Sequence, residues 1–191
     1  MKKTMIVIVA FATLLLSLSA AVDERRVAAF GKQAPAVMIE QQDREFALES
    51  MKGKWVVLAF WSSTDPVSRV AQSKLASIVS SAEAVSCGSD VNGSEIELST
   101  PAGSYTLLPR DKVEVLSVNL DSSERMMQEI ADIDNLPESS CSRLKSGTAA
   151  SAVCDAFRMY NGLRTFVIDP AGRLAIADPD ESTLERLLCR R

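Results

Sequence analysis

Seven consecutive apolar residues, from Trp55 to Trp61, constrain the fold more than any other feature of the sequence. A strand with one face in water alternates apolar and polar residues, whereas this run does not alternate. It therefore predicts a central strand that is covered on both faces. A helical pattern follows from Pro66 to about Ser81. Its apolar residues fall at helical spacing: Val67, Val70, Ala71, Leu75, Ile78 and Val79.

Further strands and helices are predicted around this unit. Strands are expected at 36–39, 45–48, 112–120, 165–168 and 174–177, and helices at 122–133, 149–160 and 181–188. Residues 85–111 are rich in Ser, Gly and Pro and predict an insertion, within which Glu95 to Leu98 and Tyr105 to Leu108 form a hairpin. Residues 136–148 are expected to be a loop. The order of elements predicts an α/β fold, with a mixed sheet and helices on both faces.

The N-terminal segment has the layout of a signal peptide. Lys2 and Lys3 precede an almost purely apolar stretch from Met5 to Leu18, and small residues follow. Cleavage is expected after Ala21 or Ala20, and an uncleaved anchor is the alternative. We therefore expect a signal peptide at 1–21, a polar lead-in at 22–30 and one domain at 31–191. The mature protein would be periplasmic or otherwise exported, without stable membrane insertion, where disulfides persist.

The chain of 191 residues contains no histidine, which excludes a Ser-His-Asp or Cys-His nucleophile and any His-ligated metal site. Its formal net charge of -4 argues against a nucleic-acid surface. Neither a cofactor nor a metal is expected. The sequence favours a protein or peptide as the partner.

Five segments, in this order, resemble the exported thioredoxin-like proteins of the TlpA/ResA type: 31–35 (G-x-x-A-P), 46–48, 53–61, 118–121 and 165–173. The similarity runs from about residue 31 to 188 and is interrupted by the insertion. The resemblance implies a thioredoxin-like three-layer fold, with a central mixed β-sheet, helices on both faces and an N-terminal β-hairpin. It also implies thiol–disulfide chemistry at the start of the first main helix.

The sequence departs from that family at the expected active site. The family reads F-W-A-x-W-C-x-x-C-R, and in the same frame Asp65 and Ser68 stand at the two cysteine positions. The acid that follows the motif is replaced by Ala71, and the cis-proline position holds Leu163. Because serine cannot form the disulfide that stores the electrons, these differences imply that the site does not exchange dithiols.

Asp65 followed by Pro66 is a favourable pair for starting a helix, since the carboxylate caps backbone N–H groups and proline suits the first helical position. In a CxxC protein the same helix end stabilises a thiolate. Two interpretations are open. Asp65 and Ser68 are only a stable helix start, or Asp65 is a catalytic base or a group that binds a partner.

None of the four cysteines, Cys87, Cys141, Cys154 and Cys189, belongs to a CxxC motif. The pair Cys141–Cys154 is the most economical disulfide, worth about 3 kcal/mol in the chain-entropy model. Cys87–Cys189 would be the second, although four cysteines allow three pairings. Two functions follow. The first is a protein- or peptide-binding module without dithiol chemistry, and the alternative is a thiol–disulfide oxidoreductase that uses Cys141 and Cys154.

Overall fold

The computed structural model describes residues 30–42, 44–86, 95–100, 103–107 and 112–188. The predicted signal peptide, the lead-in up to residue 29, Cys87 and Cys189 lie outside these ranges. In chain order the elements are β1 (Met38–Gln41), β2 (Arg44–Ala47), a 3-10 turn (Leu48–Met51), β3 (Trp55–Trp61), α1 (Pro66–Ser86), β4 (Ile96–Thr100), β5 (Gly103–Leu107), β6 (Val113–Asn119), α2 (Glu124–Ile133), a 3-10 turn (Glu138–Ser140), β7 (Ser142–Leu144), α3 (Ala150–Ala156), β8 (Thr165–Ile168), β9 (Leu174–Ala177) and α4 (Glu181–Leu188).

The described strands form a seven-stranded mixed sheet in the order β2-β1-β7-β6-β3-β8-β9 and a separate hairpin of β4 and β5. The apolar strand β3 is central, as predicted: it pairs in parallel with β6 and antiparallel with β8. The parallel pairing follows from the crossover through α1, since parallel neighbours need a long connection. This mixed sheet with helices on both faces confirms the predicted fold class.

Both faces of β3 are covered. Successive residues of the strand point to opposite faces of the sheet and pack in different core clusters. One face carries Val56, Leu58 and Phe60. They pack there with Val153 of α3 and with Phe157, the residue that follows this helix. On the other face Val57 and Ala59 meet α1 and α4, and Trp61 meets α2. All seven residues of the strand are buried, which explains why the run does not alternate.

The predicted insertion contributes to the core through its hairpin. Leu98 of β4 and Leu107 of β5 are only 2% and 1% exposed and share a cluster with Trp55. The ring of Tyr105 packs edge-on against Trp55, with 5.6 Å between the ring centroids. The described part of the insertion therefore covers the start of the central strand on the face that carries α4.

The helix predicted from Pro66 is present as α1, but not all of its apolar residues face the core. Val67 and Val70 are 77% and 59% exposed. The inward face begins instead with Ser68 and Gln72, both almost fully buried. Gln72 accepts a hydrogen bond from Ser117 of β6 at 2.7 Å, which supplies a partner that the apolar pattern cannot reveal.

Two smaller predictions around α3 also need correction. The expected loop at 136–148 contains the short strand β7, which pairs with β6 and β1. The helix expected at 149–160 ends at Ala156, because Arg158 takes a positive φ of 55°. No helix within the described ranges is long and apolar enough to span a membrane.

Candidate functional site

The end of β3 and the start of α1 meet at the position where the sequence places Asp65 and Ser68. The Asp65 carboxylate accepts a hydrogen bond from the Val67 amide at 3.2 Å, which makes it the helix cap that the sequence predicts. The Ser68 hydroxyl is buried, accepts from the Ser62 amide at 3.2 Å and donates to the Asp65 carbonyl at 3.1 Å. Both side chains are thus occupied by local hydrogen bonds.

Asp121, which follows β6, holds the loop before α1. Its carboxylate accepts from the Ser62 hydroxyl at 2.6 Å, the Ser63 amide at 2.8 Å and the Asn119 side-chain amide at 3.0 Å. Burial by itself would raise the pKa of Asp121, but these hydrogen bonds outweigh it and hold the pKa below its ordinary value. Asp121 therefore remains ionised and fixes the loop. The sequence predicts no role for Asp121 beyond its place in the segment 118–121.

Arg69 ties the start of α1 to the end of α2. Its guanidinium makes two parallel hydrogen bonds to the Asp134 carboxylate, at 2.8 and 2.6 Å. The hydrogen bond from Arg69 lowers the pKa of Asp134, against the effect of burial. A bidentate pair of this kind fixes orientation as well as distance, so the first turn of α1 has a defined position relative to α2.

Leu163, at the position where the resembled family carries proline, lies just before β8. It is half-buried and packs against the core cluster of Phe60. The Phe60 amide donates to the carbonyl of the next residue, Arg164, at 3.1 Å. The structure therefore brings Leu163 beside the end of the central strand, and its contacts there are apolar.

A groove of about 1020 Å³ opens between α1, the segment 157–166 and the start of α4. Its floor is apolar and includes the buried side chains of Leu75 and Phe166. Val67 and Tyr160 form part of its walls and are 77% and 70% exposed. Leu163 also contributes to the lining. Apolar side chains this exposed on a concave surface are typical of a binding site.

This groove includes residues for which the sequence predicts no functional role. Val67 is predicted only as one of the apolar residues at helical spacing, and Tyr160 as the last residue of the helix at 149–160. No local signal reveals the orientation of α1, because polar residues such as Ser68 and Gln72 are expected on the solvent side, whereas both are buried in the structure.

The predicted disulfide between Cys141 and Cys154 is not formed, and both are free thiols in the structure. Cys141 packs with Trp61, whereas Cys154 packs with the cluster of Phe60 on the other face of the sheet. Burial raises the pKa of Cys141, with a further contribution from Asp132 and Glu138. Burial and, less strongly, its neighbour Asp155 raise the pKa of Cys154. Neither thiol therefore has the environment that activates a nucleophile.

The described residues contain no group of three or more metal-ligating Cys, Asp or Glu side chains. Two acids around the helix start already have partners: Asp121 holds the loop and Asp134 holds Arg69. What the site offers chemically is an open groove with an apolar floor beside a capped helix start.

No family model matches the chain, and neither does any curated protein. Solved structures do match. The thioredoxin domain of a thiol-disulfide oxidoreductase from Bacteroides vulgatus is 15% identical, with a TM-score of 0.59, and the match covers 83% of this chain and 94% of that one.

A thiol:disulfide interchange protein from Bacteroides sp. is also 15% identical, with a TM-score of 0.58 and coverage of 83% of this chain and 87% of that one. The chain has a thioredoxin-like fold. Copper-bound yeast Sco1 shares this thioredoxin-like fold at 17% identity and a TM-score of 0.54, over 82% of this chain and 92% of Sco1. Identities this low establish the fold alone, so the function rests on the chain's own residues.

Proposed function

We propose that the protein is an exported thioredoxin-like domain that binds a protein or peptide partner in the groove beside α1 and does not exchange dithiols. The observation that carries the proposal is the pairing of two features. The helix start that activates a thiol in CxxC proteins is occupied by Asp65 and Ser68, whose hydrogen bonds are internal. An open apolar groove nevertheless lies next to it.

The contacts of the groove support binding rather than simple packing. Val67 extends from the first turn of α1, and that turn is fixed by the Asp65 cap and by the Arg69–Asp134 pair. Tyr160 extends from the opposite wall with 70% of its surface exposed. Rigid elements that present exposed apolar side chains reduce the entropy that is lost when a partner binds.

The two thiols within the described residues favour the same interpretation. Cys141 and Cys154 lie in separate core clusters, and the pKa of each thiol is raised. A pair of this kind would need movement of the backbone before it could form a disulfide. The alternative, an oxidoreductase that uses these two cysteines, is retained as an outcome of the redox test below.

Binding is tested by selecting peptides from a random display library on the purified chain. We expect the selected peptides to lose at least fivefold in affinity on Val67→Gln and on Tyr160→Ser. Ile133→Gln is the matched control, because Ile133 is 66% exposed on α2 and does not line the groove. Peptides that bind all three variants equally, or a selection that yields no binder, would contradict the proposal.

The absence of redox activity is tested by insulin reduction with dithiothreitol, in parallel with a count of free thiols. We expect no turnover above the background of the reductant alone. Turnover that disappears in Cys141→Ala or Cys154→Ala would overturn the non-catalytic assignment and establish the oxidoreductase.

Export is part of the same proposal and rests on the signal-peptide layout of residues 1–21. N-terminal sequencing of the protein from the periplasmic fraction of an expressing cell should begin at Val22 or Ala21. A chain that keeps Met1 and remains in the membrane fraction would establish the uncleaved anchor instead.

A further inference from the structure

A second cavity, of about 270 Å³, lies near the start of β3, between the 3-10 turn Leu48–Met51 and the turn of the β8–β9 hairpin. Part of its lining is apolar and buried: Leu48, Val56 and Ile168 are 5%, 1% and 3% exposed. The cavity shares no lining residue with the groove beside α1. Sites for small molecules are concave and mostly apolar, with a few polar groups, and those for drug-sized ligands start at about 300 Å³. This cavity therefore has room for a small ligand with an apolar part.

Two of the charged side chains that line this cavity already have partners. Asp169 is only 2% exposed, and its carboxylate accepts hydrogen bonds from the amide and the guanidinium of Arg173, both at 2.8 Å. Lys54 pairs with Glu114 at 2.8 Å. These charges are therefore balanced by the protein itself and are not available to a ligand.

The lining also includes Glu49 and Lys52, which are exposed and carry opposite charges. Within the ranges that the structure describes, neither side chain has an ion pair or a hydrogen bond. The Lys52 amide donates to the Glu49 carbonyl at 3.3 Å across the 3-10 turn. Such a turn rises about 2 Å per residue, so the two residues stand about 6 Å apart along it.

The stem of Lys52 does not extend toward Glu49 but lies over the hairpin turn. A Cβ at Gly172 would come within 3.1 Å of the Lys52 Cε, and Gly172 is part of the cavity wall. The ammonium is one bond beyond Cε and therefore lies at this wall. The mouth of the cavity thus presents one cation and one anion that do not neutralise each other.

We propose that this cavity binds a free α-amino acid with an apolar side chain. Lys52 binds the carboxylate of the ligand and Glu49 binds its ammonium, while its side chain packs against the buried apolar lining. An α-amino acid carries both charges at neutral pH, and charge-assisted hydrogen bonds to both offset the cost of removing them from water. A simple carboxylate would leave Glu49 facing an anion, and a simple amine would leave Lys52 facing a cation.

The test is isothermal titration calorimetry of the full chain at neutral pH with free L-leucine, L-methionine and L-phenylalanine. The amino acid that binds most tightly is then compared with two analogues that have the same side chain. One analogue has hydrogen in place of the amino group, and the other has hydrogen in place of the carboxylate. We expect each analogue to bind about tenfold more weakly than the amino acid, because each loses one hydrogen-bonded charge.

Two variants assign the two charges of the ligand to their partners. Lys52→Met should weaken the amino acid about tenfold, and the amine analogue should then bind no more weakly than it does to the wild type. Glu49→Gln should weaken the amino acid to a similar extent without weakening the carboxylate analogue. Both side chains are exposed, so both variants should unfold at the urea concentration of the wild type.

Two matched controls remove the same charges elsewhere. Lys145→Met and Glu129→Gln affect residues that pair with Glu45 and Arg125 and do not line the cavity. Both should keep the affinity of the wild type for the amino acid.

The inference is overturned if none of the three amino acids binds. It is also overturned if either analogue binds as tightly as the amino acid, because recognition would then not depend on both charges. An affinity that survives Lys52→Met and Glu49→Gln would place the ligand outside this cavity. The inference goes beyond the proposed function and is independent of it: Val67→Gln, in the groove, should leave the affinity for the amino acid unchanged.

Discussion

The hydroxyl of Ser68 accepts a hydrogen bond from the backbone amide of Ser62, and the two atoms lie 3.2 Å apart. This contact joins the loop that follows β3 to the first turn of α1, and the Ser68 side chain is buried beneath it. A thiol at this position would be a weaker acceptor than the hydroxyl. Ser68 is therefore part of the hydrogen bonding that joins this loop to the helix start.

Asp65 should contribute to stability as the cap of α1. Replacing it with alanine removes the acceptor for the Val67 amide, and we expect a loss of about 0.5–2 kcal/mol in the free energy of unfolding. Urea unfolding at neutral pH measures this loss in the free energy of unfolding. Asp65→Ser keeps a capping oxygen and should restore most of the loss. An alanine variant as stable as the wild type would show that Asp65 is present for another reason.

Asp121 should make the stability depend on pH in the acid range. The pKa of Asp121 is lower in the folded protein than its ordinary value near 4, so the unfolded chain binds the proton more readily. The stabilisation that ionised Asp121 provides is therefore complete at a pH above its ordinary pKa. It is lost as the pH falls through the pKa that Asp121 has in the folded protein. Above pH 5 we expect Asp121→Asn to cost about 1–3 kcal/mol, since the Ser63 amide loses its anionic acceptor.

Urea midpoints of the wild type and Asp121→Asn, compared between pH 7 and pH 2.5, check this prediction. The difference in urea midpoint between the two proteins should be constant above about pH 5 and should narrow below about pH 4. A gap that is the same at every pH would mean that the hydrogen bonds of Asp121 matter but its charge does not.

Most of the sheet could be predicted from the sequence because its strongest signals are local. A strand formed by the run Trp55–Trp61 cannot leave one face in water, because both of its faces are apolar. The hairpin of β8 and β9 surrounds a turn at Pro170 and Gly172, and only a few residue types allow such a turn. The short strand β7 lacks such a signal. It is a strand because β1 and β6 lie on either side of it, and this depends on tertiary structure.

The proposed binding surface could not be predicted for a related reason. Val67 and Val70 fall at helical spacing, and this spacing does not tell a residue of the core from an exposed apolar residue. The inward face of α1 includes Gln72, whose partner Ser117 lies 45 residues away in sequence. Local periodicity contains no information about a contact at that distance.

The insertion hairpin should be essential to the stability of the domain. Leu107 is 1% exposed and packs in the cluster of Trp55, so Leu107→Ala should cost about 2–5 kcal/mol in the free energy of unfolding. Thr106→Ala, on the exposed side of the same strand, is the matched control and should change stability by less than about 0.5 kcal/mol. If Leu107→Ala is as stable as the control, the hairpin does not form part of the core in solution.

The start of α1 should support dithiol chemistry once two cysteines are introduced there. In the double variant Asp65→Cys, Ser68→Cys, the first new thiol would stand at the N-terminus of α1, where the helix dipole favours a thiolate and lowers its pKa below about 8.5. We expect a disulfide between the two positions, detected as a mass loss of about two hydrogens, and measurable insulin reduction. The reduced form should be about 1 kcal/mol less stable because the Asp65 cap is gone.

The two single variants are the controls for that experiment, since neither supplies both an attacking and a resolving thiol. They should show no turnover and no mass loss. Efficiency in the double variant should remain below that of a CxxC protein with the full motif, because Ala71 and Leu163 stand where the resemblance places that family's acid and proline. A double variant whose new thiols stay reduced in oxidised glutathione would show that the first turn of α1 does not hold positions 65 and 68 at a bonding distance.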